Sequence, residues 1–133
     1  AVAEDARQAG SAAPVVWAVQ DARMGELYVA AWSADGSALA PPRLARPEDL
    51  PTLLAQCPGE VAGNGVPLLA SMPDRAMVAA WPQAEPSGRA LLALARTAHA
   101  QGLHQDAALA LPLYVRDKVA LTTAERAAAG GGR

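Results

Sequence analysis

The sequence contains no phenylalanine, and aromatic residues make up only 4% of its 133 residues. Its one cysteine, Cys57, excludes an internal disulfide and fits a reducing compartment. The 11 basic and 13 acidic residues give a net charge of -2, without the basic excess by which proteins bind nucleic acid or anionic membranes. No apolar run approaches the roughly 18 residues of a membrane span. We therefore expect a cytoplasmic protein that does not bind nucleic acid or a membrane directly.

Hydrophobic residues make up 52% of the chain, which is long enough for one compact domain with one core. The most informative stretch is 15–32, where two apolar strands, 15–20 and 26–32, flank a polar turn at 21–25 that contains Gly25. In the second strand, Leu27, Val29 and Ala31 alternate with Tyr28, Ala30 and Trp32. Both faces are mostly apolar, so we expect an antiparallel hairpin covered on both sides.

The remaining elements are predicted from local patterns. They are a helix end at 1–8, an edge strand within 38–45, a helix at 46–57, a strand at 60–63, a helical turn at 66–72, a strand at 77–80, a helix at 87–101, an extended segment at 109–115 and a tail from 120. This order predicts an α/β domain with a mixed sheet that begins with an antiparallel hairpin and carries helices on its faces.

Proline and capping residues refine three of these predictions. Pro41 and Pro42 limit the edge strand to about 43–45. Pro51 requires the second helix either to begin near that residue, capped by Asp49 or Leu50, or to have an irregular first turn. Ser87 can cap the long helix, whose apolar stripe is expected to face the core. The residues of this stripe are Leu91, Leu94, Ala95 and Ala98.

Three groups of residues could carry chemistry, and each has a simpler interpretation. His99 and His104 are five positions apart, which favours two solvated side chains over a metal pair. The Gly-Asn-Gly run at 63–65 lacks a third glycine and a Walker lysine, which favours a strand-ending turn over a phosphate cradle. Asp21 and Glu26 could bind a divalent cation, although an aspartate that caps the turn is commoner. The residues alone predict no catalytic residue, no metal and no cofactor.

Two segments resemble motifs of one bacterial protein family. Residues 19–28, VQDARMGELY, closely resemble the DARMGEVY signature of the TsaB (YeaZ) family, and residues 111–120, LPLYVRDKVA, resemble its C-terminal P-x-Y-L-R segment. Leu27 replaces valine and Val115 replaces leucine, both apolar exchanges. The order and spacing of the two motifs agree with the family over residues 3–123.

The resemblance singles out structural motif residues in both segments. They are Asp21, Arg23, Gly25, Tyr28, Tyr114 and Arg116. We expect Tyr114 and Arg116 to tie the C-terminal segment to the sheet. No catalytic residue of the superfamily can be carried over to this chain.

The resemblance also implies a domain organisation. TsaB proteins belong to the actin-like ATPase superfamily and consist of two ribonuclease-H-like halves, of which this chain is similar to the second. Residues 1–12 would then be the end of an interlobe helix and a linker, residues 13–120 a C-terminal ribonuclease-H-like domain, and residues 121–133 a flexible tail. The DTS strand and the GPGSFTGLR-like loop of the first half are not present in this sequence.

The function implied by the resemblance is that of a non-catalytic subunit. The family, once classified as M22 glycoprotease-like, acts with the transferase TsaD and the ATPase TsaE in making threonylcarbamoyladenosine at position 37 of certain tRNAs. Contact with TsaD lies mainly in the first half of these proteins, so we expect this chain to bind TsaD weakly or not at all. A chain without the first half would expose apolar surface, so we also expect self-association, including a possible homodimer. Two alternatives are a kinase-like, nucleotide-using half of the same superfamily and a ribonuclease-H-like metal nuclease.

Overall fold

The structure, a computed structural model, describes residues 1–69 and 79–116. Its regular elements are α1 (Val2–Ala9), β1 (Val15–Arg23), β2 (Glu26–Ser33), β3 (Ala38–Ala45), α2 (Leu50–Gln56), β4 (Glu60–Ala62), β5 (Ala80–Trp81) and α3 (Gly88–Ala100). Short 3₁₀ turns lie at Pro47–Asp49, Val66–Leu69 and Ala107–Leu109. Within the described residues, no helix is both long enough and apolar enough to cross a membrane.

The strands form one sheet in the order β3-β2-β1-β4-β5. β1 pairs antiparallel with β2, and β2 pairs antiparallel with β3. β4 pairs parallel with β1, and β5 pairs parallel with β4. Since parallel neighbours need a crossover connection, the chain passes through β2, β3 and α2 before it returns beside β1. The predicted mixed sheet that begins with an antiparallel hairpin is confirmed.

Both faces of the sheet are covered, as the apolar hairpin indicated. On one face, Trp17 of β1 and Leu27 of β2 pack with Leu50 and Leu53 of α2. On the other face, the buried side of α1 packs against Val16 and its neighbours. The Trp17 indole N–H donates to the Cys57 carbonyl at 2.9 Å, which satisfies the polar atom of the largest buried side chain.

The hairpin turn is shorter than predicted. β1 continues to Arg23, so only Met24 and Gly25 lie between the strands, rather than the whole of 21–25. The register shifts between Asp21 and Arg23, which leaves Ala22 as an extra residue opposite β2. This bulge lets a polar segment stay paired where the sequence pattern indicated a loop.

The edge strand is longer than predicted. β3 spans Ala38–Ala45, not only residues 43–45. Its register against β2 is irregular between the pairs Val29 with Arg43 and Ala31 with Ala40, and both prolines fall in that interval. Because the ladder is already broken there, their missing N–H groups remove no regular hydrogen bond.

The beginning of the second helix combines both alternatives that Pro51 left open. A 3₁₀ turn at Pro47–Asp49 forms the irregular first turn, and the α-helix then begins at Leu50 with Asp49 as its N-cap. Pro51 therefore lies in the first turn of α2, where its missing N–H removes no helical hydrogen bond.

The third helix corrects one prediction and confirms another. The Ser87 hydroxyl caps α3 by accepting from the Ala90 N–H at 3.2 Å, as expected. However, Ala90 is the one fully buried residue of α3, and the side chain of Leu91 is 53% exposed. The 3.6-residue periodicity identified the apolar stripe, but α3 packs on α1 rather than in the core, so Leu94 and Ala98 are half-buried while Leu91 and Ala95 stay exposed.

Some predicted segments fall outside the described residues. They are the end of the helical turn at 66–72, the first two residues of the strand at 77–80 and the tail at 121–133.

Candidate functional site

The hairpin turn has an unusual backbone. Arg23 and Met24 have φ angles of 67° and 55°, and Gly25 follows with 75°. A two-residue hairpin loop of type I′ needs positive φ at both central residues, which glycine accepts readily and methionine does not. The glycine was predicted from the sequence, whereas the left-handed conformation of Arg23 and Met24 was not.

Asp21 stabilises this turn from the strand side. Its carboxylate accepts the Arg23 backbone N–H at 2.7 Å, and its other oxygen lies 3.3 Å from the Arg23 guanidinium. Since the Arg23 side chain is 86% exposed, the ion pair adds little to the backbone hydrogen bond. The Asp21 N–H donates to the side-chain oxygen of Asn64 at 3.0 Å, so the Gly-Asn-Gly segment also contacts the turn. This is the turn-capping role that the sequence favoured for Asp21.

The Gly-Asn-Gly segment uses its amides within the fold. The Gly63 N–H donates to the Trp81 carbonyl at 3.0 Å, and the Gly65 N–H donates to the Val19 carbonyl at 3.0 Å. A Cβ atom at Gly63 would lie 2.5 Å from the Val19 carbonyl oxygen, so this chain segment lies directly against β1. These two N–H groups are therefore not free to cradle a phosphate, and the segment is the strand-ending turn that the sequence favoured.

Arg116 joins the second motif to the first. Its guanidinium lies 2.7 Å from a Glu26 carboxylate oxygen and donates to the Ala22 carbonyl at 2.8 Å and the Arg23 carbonyl at 3.3 Å. It also lies 3.2 Å from the Met24 sulfur. The side chains of Arg116 and Glu26 are only 14% and 31% exposed, so water screens this pair less than a surface pair.

The six motif residues divide into two groups. Asp21, Arg23, Gly25 and Arg116 meet at the hairpin turn. Tyr28 lies farther along β2, half-buried and in register with Gln20 and Leu44. Tyr114 is 85% exposed, so Arg116 rather than Tyr114 ties the C-terminal segment to the sheet. Any functional role of the six residues beyond these contacts stays a prediction.

Sequence reasoning missed the partners of Arg116. Glu26 was considered only as a metal ligand beside Asp21, whereas the structure pairs it with a cation from the far end of the domain. The opposite charges in the two motifs were the one available signal. The backbone carbonyls that complete the contact leave no trace in the sequence.

The histidines and two aspartates lie elsewhere. The rings of His99 and His104 are exposed, with centroids 5.2 Å apart. In the part of the chain that the structure describes, no three His, Cys, Asp or Glu residues are grouped so that they could hold a metal ion. A hydrogen bond from the Ser87 hydroxyl lowers the pKa of Asp5, and one from Ser33 lowers the pKa of Asp35 to about 2.

Comparison with known proteins gives similar solved structures only. No family model matches the sequence, and neither does any curated protein. The chain is similar to a crystal structure described as an uncharacterized protein with similarity to peptidase YeaZ from Pseudomonas aeruginosa, with 30% identity and a TM-score of 0.71 over 86% of this chain. A structure of YeaZ from Pseudomonas aeruginosa gives 30% identity and a TM-score of 0.70 over 85% of this chain. This chain spans 56% of the length of each. The mixed α/β fold expected from the sequence is therefore the YeaZ-type fold.

Proposed function

We propose that this chain, which is YeaZ-like (TsaB-like) in fold and in sequence, serves as the second half of a non-catalytic subunit for making threonylcarbamoyladenosine in tRNA. In this proposal it acts in the cytoplasm, uses no cofactor of its own and supports the half that contacts a TsaD homologue. A TsaE homologue joins the same complex through the complete protein. The 30% identity to YeaZ over most of this chain supports the family, and the role in tRNA modification rests on that likeness.

One observation carries the non-catalytic part of the proposal. Asp21, Glu26 and Arg116, the charged motif residues with hydrogen bonds or an ion pair at the hairpin turn, all hold that turn in place. Asp21 accepts a backbone N–H of the turn, and Arg116 binds Glu26 together with two backbone carbonyls. A catalytic group instead has to face the position of a reacting substrate. Residues that hold a turn rigidly are what a subunit needs if its task is to keep a surface in one shape.

The first experiment measures partner binding. Calorimetric titration of this chain into TsaD from the same source should give weak binding or none. A full-length YeaZ-type protein, titrated into TsaD under the same conditions, should bind. We expect this difference because TsaD should contact mainly the first half of the full-length protein, which is not part of this chain's resemblance. Equal affinity of the two proteins would place the interface in this chain and contradict the supporting role.

The second experiment measures turnover. The purified chain should not hydrolyse ATP, because the two glycine amides best placed to bind a phosphate already donate to carbonyl groups. The full-length protein carrying Arg116→Ala should form less threonylcarbamoyladenosine in a reconstituted reaction, with Arg96→Ala as the matched control on an exposed helix position. ATP turnover that survives repurification would support the kinase-like alternative instead.

A further inference from the structure

The hairpin turn stores conformational strain at two residues that are not glycine. Arg23 and Met24 both have positive φ, in the left-handed region that disfavours side chains with a Cβ atom. The bulge at Ala22 adds a second irregularity directly before them. Such a conformation persists only when surrounding contacts favour it. Three contacts of Arg116, to Ala22, Arg23 and Met24, lie at this strained segment.

The C-terminal segment 104–116, which we call the strap, has little structure of its own. One 3₁₀ turn, Ala107–Leu109, is followed by residues without regular hydrogen bonding. Leu111 and Leu113 are 79% and 71% exposed. Among the hydrogen bonds of the described residues, only those of Arg116 join the strap to the rest of the domain. At its start the strap follows α3, where the His104 ring lies beside His99, and at its end its position depends on the same Arg116 side chain that contacts the turn.

We propose that Arg116 and the hairpin turn form a latch, in which the left-handed turn and the docked strap are stable together and released together. The inference concerns conformation and goes beyond the proposed function. In the latched state the guanidinium binds the Glu26 carboxylate and carbonyl oxygens on the strained side of the turn. When the turn relaxes, those carbonyls move away and Arg116 loses most of its partners. When the strap leaves, the turn loses the contacts that favour its strained form.

Such coupling is reciprocal, because a change that favours one half of the latch must favour the other by the same factor. The planar fork of arginine suits this task, since it can hold a carboxylate and carbonyl groups at the same time. Lysine keeps the charge but offers a single ammonium group, so Arg116→Lys is expected to weaken the latch rather than preserve it. With a latch of this kind, a molecule that binds at the turn would change the position and exposure of the apolar side chains of the strap.

The test perturbs one half of the latch and measures the other. A Gly25→Val substitution disturbs the turn without changing the Arg116 or Glu26 side chain itself. We expect it to raise the rate of chymotrypsin cleavage after Tyr114 at least tenfold, with no comparable rise after Tyr28 in β2, which reports general unfolding. In the opposite direction, Arg116→Ala should shift the ¹³C-methyl NMR signal of Met24, assigned by its loss in Met24→Leu, because the turn that positions this side chain relaxes. For Arg116→Lys, the rate of cleavage after Tyr114 and the Met24 methyl signal should both lie between those of the wild type and those of Arg116→Ala.

The control is Arg96→Ala, which removes a cation from the exposed surface of α3 and should change neither signal. Cleavage after Tyr114 that is unchanged by Gly25→Val would overturn the latch, because it would show that the strap does not respond to the turn. An equal acceleration after Tyr28 would also overturn it, since the effect would then be global unfolding. A Met24 signal that stays in place in Arg116→Ala would contradict the reciprocal half.

Discussion

Replacement of Gly63 by alanine should destabilise the domain strongly, for two separable reasons. The φ angle of Gly63 is +117°, a conformation that a residue with a Cβ atom adopts at a cost of about 1–3 kcal/mol. The added Cβ would also lie 2.5 Å from the carbonyl oxygen of Val19, which belongs to a central strand and cannot rotate away. Overpacking of this kind costs about 1–3 kcal/mol. The sum, about 2–6 kcal/mol, is a large share of the 5–15 kcal/mol by which domains are typically stable.

Two other glycines separate these causes. Gly25 has a φ angle of +75°, but a Cβ there would meet no atom within 4 Å, so Gly25→Ala should show only the strain, about 1–3 kcal/mol. Gly88 lies in the first turn of α3, with neither a positive φ nor a close neighbour. Gly88→Ala should therefore be neutral or slightly stabilising, because alanine loses less backbone entropy on folding.

The assay is urea denaturation of the three variants, followed by the fluorescence of the three tryptophans. The expected order of stability is Gly88→Ala, then Gly25→Ala, then Gly63→Ala. A Gly63→Ala variant no less stable than Gly25→Ala would refute the argument, since the close approach to β1 would then contribute nothing.

The remaining predictions concern the core, one carboxylate and association. Leu27→Ala, at a fully buried position, should cost about 2–5 kcal/mol in the same denaturation assay, whereas Leu113→Ala, 71% exposed, should stay within about 0.5 kcal/mol. The lowered pKa of Asp5 means that its charged form is favoured in the folded state. The contribution of the Asp5 carboxylate to stability is therefore complete above its unfolded pKa of about 3.9, and it is lost as the pH falls through the lower folded pKa. The stability advantage of the wild type over Asp5→Asn should accordingly shrink below about pH 4. Sedimentation velocity should show self-association at high micromolar concentration, because Leu91 and Leu92 are 53% and 54% exposed on one helix, and a monomer would contradict this.

The sheet and its central hairpin could be predicted because their signals are local and mutually consistent. The alternation of Leu27, Val29 and Ala31 places all three on the face that packs against α2, as the pattern indicated. The Ser87 cap was predictable for the same reason, since the hydroxyl acts within the first turn of its own helix.

The errors arise where the outcome depends on distant parts of the chain. The proline rule shortened β3, but the strand continues because its ladder against β2 is already irregular there. The apolar stripe of α3 was identified correctly, yet periodicity does not reveal whether a partner covers it. The contacts of Arg116 join residues from the two ends of the domain, and besides the Glu26 carboxylate they include the backbone carbonyls of Ala22 and Arg23. The candidate site could therefore be found as two motifs, but its geometry could not.

The two prolines of β3 also limit how copies of this domain can assemble. β3 is the outer strand on its side of the sheet, and a strand from a second molecule could in principle add to it by backbone hydrogen bonding. Pro41 and Pro42 lie in the middle of this strand and carry no N–H group, and the backbone around them is irregular. A strand added from a second molecule could therefore form regular backbone hydrogen bonds with only a few residues of β3 before it reached the two prolines. We therefore expect oligomers of this chain to form through the exposed leucines of α3 rather than by extending the sheet past β3.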